Sequence, residues 1–103
     1  MVGVPLSDAT RQRVVILFGG GDVDVATELL VHDCGSNLPF LHDLDAVQLE
    51  WFRFAALKLS DGRLDRLLEA VVLAQRDWRD LLMAAGFGED IHAHQRWLPH
   101  KSP

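Results

Sequence analysis

The sequence predicts an all-α protein, with five or six short helices arranged as stacked antiparallel helical hairpins or as an irregular bundle. Three observations carry this expectation. Apolar residues recur at intervals of three and four along most of the chain. Serine or aspartate precedes these stretches, and glycine or proline follows most of them. No two alternating apolar stretches offer each other a strand partner. The 103 residues, 49% of them hydrophobic, suit a single helical domain spanning 1–103, with 99–103 as a frayed tail.

Ser7 followed by Asp8 reads as an N-cap with an acid in the first turn, where the helix dipole favours negative charge. Val14, Leu17 and Phe18 continue at helical spacing, so a first helix runs to Phe18 and closes at Gly19-Gly20-Gly21. The run Val14–Phe18 could form a buried strand by composition, but the cap and the missing partner favour helix. Asp22 or Asp24 caps a second helix whose Val23, Ala26, Leu29, Leu30 and Cys34 share an apolar side. Gly35 is expected to end it in the left-handed conformation. Residues 36–42, with Asn37 and Pro39, read as a loop.

Asp43 or Asp45 opens a third helix, which runs to Ser60. Leu44, Val47, Trp51, Phe54 and Ala55 line one side, yet Leu49, Phe52, Ala56, Leu57 and Leu59 are apolar as well. Such wide coverage predicts a central helix contacted on several sides. Asp61-Gly62 breaks the chain. The fourth helix then sets Leu64, Leu67, Leu68, Val71 and Val72 against Asp65, Arg66, Glu69 and Arg76. Asp77 restarts a short fifth helix through Leu81, Leu82 and Ala85, ended by Gly86. Asp90 begins a sixth through Ile91, His94 and Trp97, stopped by Pro99.

At an offset of 41, Gly21 matches Gly62, Asp24 matches Asp65, Glu28 matches Glu69 and Val31 matches Val72. Val23 pairs with Leu64, Ala26 with Leu67 and Leu30 with Val71 in the same register. The pattern suggests two stacked hairpins, although ordinary helix-start grammar can also produce it.

A net charge of −5 argues against dedicated nucleic-acid binding and against a polybasic membrane anchor. Met1–Leu6 lacks the basic and apolar regions of a secretory signal. The single Cys34 excludes a disulfide within the chain and suits a reducing interior, so a cytoplasmic location is expected.

Several motifs invite chemistry and fall short of it. Gly19–Gly21 lacks the third glycine of a dinucleotide loop, and Asp22 and Asp24 would repel phosphate there; no Lys-Ser or Lys-Thr completes a P-loop. A calcium loop starting at Asp22 fails at Ala26 and Thr27. The pairs Asp22/Asp24 and Asp43/Asp45 sit where helices begin, and capping accounts for them. His32-Asp33-Cys34 brings together three catalytic residue types, but neighbours on a helix diverge. A helix C-terminus also disfavours a thiolate.

Two candidate sites remain. Arg76 and Arg79 flank Trp78, and with Trp97 they form the candidate partner-binding residues, although closing the core is the favoured role of Trp78. Asp90, His94 and His100 form an alternative metal or small-ligand cluster. No cofactor and no catalytic residue is assigned. The leading expectation is a non-catalytic protein-interaction or adaptor module, self-associating or bound to a protein partner through the apolar stripe of the third or fourth helix.

Overall fold

The computed structural model describes residues 4–35 and 44–99. Five α-helices account for most of them: α1 (Asp8–Phe18), α2 (Val23–Asp33), α3 (Ala46–Ser60), α4 (Leu64–Arg76) and α5 (Trp78–Ala85), with no strand among the described residues. The expected all-α fold is observed, and Val14–Phe18 is helical.

Local signals explain most of the boundaries. The Ser7 side chain accepts from the Thr10 backbone N–H and starts α1. At α3, the Asp45 side chain accepts from the Gln48 N–H while the Gln48 side chain accepts from the Asp45 N–H, a reciprocal capping box. Asp77 caps α5 by accepting from the Arg79 N–H, and Gly86 closes it at φ 79°, where glycine carries no steric penalty. Asp22 precedes α2 without making a side-chain cap. Asp43, the other candidate opener of α3, lies outside the described residues.

Short connections double the chain back on itself, giving an α1–α2 hairpin and an α3–α4 hairpin. Helix α1 packs on α3 and α2 on α4. Ser7 at the start of α1 meets Glu50 near the start of α3, and the turn after α3 meets the end of α1, where a Cβ on Gly62 would come within 3.0 Å of the Leu17 carbonyl oxygen. Gln75 of α4 donates to the Asp33 carbonyl at the end of α2. The hairpins are therefore stacked in the same direction. The offset of 41 has a structural counterpart: Gly21 and Gly62 both have positive φ, and Ala26/Leu67 and Leu30/Val71 are buried pairs.

Helix α3 is the centre, packed on by α1, α4 and α5, with Leu49, Phe52, Phe54, Ala55, Ala56 and Leu57 all buried. This matches its wide apolar coverage.

Three expectations change. The segment from Asp90 to Trp97 forms no α-helix; it is a string of turns closed by three-residue bonds, Ala93 N–H to Asp90, Gln95 to His92 and Trp97 to His94. Gly35 does not take a left-handed φ. Its role is space, because a Cβ there would sit 3.0 Å from the Arg53 guanidinium and 3.4 Å from Leu49. On α4 the apolar set is wider than the buried stripe: Leu67, Ala70, Val71 and Ala74 face inward, whereas Leu68 and Val72 remain half exposed.

Candidate functional site

The charged residues of α3 organise the interior. Arg53 is 2% exposed and, among the described residues, directs its guanidinium at main-chain oxygens. Nε donates to the carbonyls of Leu30 and Cys34, Nη1 to Pro5 and Nη2 to Val4. Leu30 lies in the last turn of α2 and Cys34 is its C-cap, so two of these acceptors sit at the end of the helix that carries its negative dipole. Burial lowers the pKa of Arg53, but arginine remains charged at any neutral pH.

Cys34 packs beside Arg53 and is fully buried. Burial dominates its titration and pushes the thiol up to about 12, against the opposing pull of Arg53. A thiol in that state is not a nucleophile. Exposed His32 and buried Cys34 share no working geometry.

Glu50, one turn before Arg53, holds a second polar group together. Its Oε2 accepts from the Ser7 hydroxyl at 2.8 Å, and its Oε1 lies 3.3 Å from His94 Nε2. Because Ser7 spends its one proton on Glu50, Thr10 must donate in the 2.8 Å contact between the two hydroxyls. Serine, glutamate and histidine thus meet, but in the wrong order for catalysis. Activating a serine needs the imidazole on the hydroxyl, and here the carboxylate separates them. His94 is moreover 0% exposed.

The imidazole stands edge-on to Phe54, with ring centroids 5.0 Å apart, and Nδ1 makes no hydrogen bond among the described residues. Donation from Nε2 to Glu50 leaves Nδ1 as a bare lone pair in the neutral ring. Burial depresses the His94 pKa, opposed by Glu50 and by the Ile91 carbonyl, which would receive a proton placed on Nδ1. Arg13 completes the dock: Nε donates to the Trp97 carbonyl, Nη1 to the Ala9 carbonyl, and the guanidinium lies 4.3 Å over the Phe54 ring. The cluster pins the C-terminal turns to α1 and α3.

The predicted site residues scatter accordingly. Asp90 is exposed and its Oδ1 accepts from the His92 N–H, while His94 is committed to Glu50. His100 lies outside the described residues. Among the described residues, no three histidine, cysteine, aspartate or glutamate side chains converge to hold a metal ion.

Trp97 is half-buried against Phe54 and Phe87. Trp78 is half-buried edge-on to Phe52, with Arg79 pairing with Asp77 and lying 6.0 Å from the Trp78 ring. The two tryptophans therefore join different aromatic groups of the core and do not form one surface. Arg76 stands beside the exposed apolar residues of α4. It lines a shallow groove of about 460 Å³ with Leu68, Glu69, Val72 and Leu73. Leu68 is 51% exposed and Val72 50%, on successive turns of one helix. Neither Glu69 nor Arg76 makes an ion pair among the described residues.

Sequence reasoning missed Arg53 and Glu50. A signal was available: both sit inside the helix that is apolar all round, where a charge has no water-facing side to occupy. Among the described residues, no helix is long and apolar enough to cross a membrane. Compared with protein-family models, with curated proteins and with solved structures, the chain matches none.

Proposed function

We propose that this chain is a small, non-catalytic helical interaction module whose docking surface is the outer face of α4. One observation carries the reading: Leu68 and Val72 form a half-exposed apolar strip bordered by Glu69 and Arg76, which make no ion pair among the described residues. The groups that could do chemistry point the same way by contrast. The thiol is buried and protonated, the imidazole is enclosed, and the hydroxyl of Ser7 is spent on a cap and a carboxylate. A module with a reduced, packed cysteine suits a cytoplasmic setting.

The strip is small, so the complex belongs to the weak, transient class. A photoreactive residue placed at Val72, activated in cells that produce the chain, tests the reading. The expected result is a discrete cross-linked product that is absent when the same residue replaces equally exposed Val15 on α1, and that is lost on adding Leu68→Asp. Equal yields at the two positions would overturn it.

A further inference from the structure

We propose that the C-terminal turns, residues 90–97, are an acid-released strap: a proton taken up by His94 frees them from α1 and α3 while the five helices stay folded.

The turns depend on the surface they lie on. Their own main-chain bonds are three-residue ones, each closing a single turn, and one turn gains too little to persist alone in water. Three contacts hold the strap down. His94 Nε2 meets Glu50 at 3.3 Å, Arg13 donates to the Trp97 carbonyl at 3.0 Å, and the Trp97 ring packs on Phe54 and Phe87. The chain just before the strap is fixed separately. Phe87 donates its N–H to the Leu82 carbonyl, and its own carbonyl accepts from the Trp51 indole at 2.8 Å. Release therefore starts at Gly88 and leaves α5 in place.

His94 is the contact that titrates near neutral pH. Its ring is enclosed, and with Nε2 donating to Glu50 an added proton must go to Nδ1. The group that would receive it there is the Ile91 carbonyl, and a bond within the strap does nothing to hold the strap down. Charge around the ring adds to this. From α3 come Glu50 and Lys58, the latter 4.8 Å over Phe87, and from α1 comes Arg13, 4.3 Å over Phe54. A third cation would thus join two permanent ones beside one carboxylate among the described residues. On the turns themselves Asp90, His92 and Arg96 are exposed, and His92 opposes the proton.

Burial outweighs the pull of Glu50, so the docked imidazole resists the proton. A lifted strap puts the ring in water, where it titrates at the ordinary value of 6.5. Below that value each pH unit raises the lifted share by up to about tenfold, until the docked ring titrates too. Lifting uncovers Phe54, Phe87 and Arg13, all buried in the docked form. Acid therefore presents an aromatic surface that neutral pH hides, apart from the α4 face.

Amide hydrogen exchange on the full chain, followed by NMR from about pH 7.5 to about pH 5 and corrected for intrinsic rates, tests the strap. Protection at the Ala93, Gln95 and Trp97 amides is expected to fall by about three- to thirtyfold, while that of α1–α5 holds. His94→Gln, which can still donate to Glu50, should abolish the fall, and His92→Gln should leave it intact. Strap protection that ignores pH, or helices that lose protection in step with the strap, would overturn the proposal. So would a fall that persists in His94→Gln. The first two readings need only the unchanged chain and stand even if His94→Gln does not fold.

Discussion

Replacing Arg53 by methionine keeps much of the side-chain volume and removes every donor. Four carbonyls lose their partner. Val4 and Pro5 are exposed, and their oxygens can turn to water, as the groove of about 170 Å³ between them and α3 allows. Leu30 and Cys34 are buried, and theirs cannot. Leaving a buried acceptor unpaired costs roughly 1–3 kcal/mol, so two give about 2–6 kcal/mol. Relief from burying a cation offsets part of this. The expected loss is about 2–4 kcal/mol, a large share of the ~5–15 kcal/mol typical of a domain.

Arg53→Lys should fall in between, since one ammonium cannot span acceptors on α2 and on the N-terminal segment together. Urea unfolding measures the change directly, provided the slope is unaltered. Thiol labelling supplies a second readout: Cys34, inert in the native chain, should react faster in Arg53→Met as the end of α2 loosens. A variant within about 0.5 kcal/mol of the original would refute the idea that this arginine ties the two segments together.

Further expectations follow from the same contacts. Gly35→Ala should cost about 1–2 kcal/mol, because the new methyl group crowds the Arg53 guanidinium; an unchanged urea midpoint would show that the site has slack. Asp45→Ala removes half of the α3 capping box and should lower stability by about 1 kcal/mol, measurable as a shift of roughly 4–8 °C in Tm. His94 carries a depressed pKa, so the unfolded chain binds the extra proton more readily. Its contribution is complete above the ordinary value of 6.5 and is lost as pH falls from there towards the native value. His94→Gln should therefore flatten the pH dependence of Tm below about 6.5, and an unchanged profile would count against the buried neutral imidazole.

The helices were legible because their ends are chemically marked. Ser7, Asp45, Asp77 and Gly86 do at each end what their side chains or their absence predict. The failures are equally physical. The segment after Asp90 has helical spacing, but at that length spacing cannot overrule tertiary bonds, and the dock of Trp97 and His94 on Arg13 and Glu50 selects turns. Gly35 looked like a helix stop because a glycine required for a neighbour's side chain reads the same as one required for its own φ. Trp78 and Trp97 carry no mark in the sequence that separates an anchor from a core residue, since an aromatic ring at helical spacing serves either. The apolar stripe of the fourth helix is legible, but which part stays open is not: Leu68 and Val72 continue the pattern of Leu67 and Val71, and only packing decides which pair is covered.

Site-specific cross-linking tests the α4 face most directly. A photoreactive residue at Val72 should give a discrete product that the same residue at equally exposed Val15 does not. Equal yields at the two positions would contradict the account.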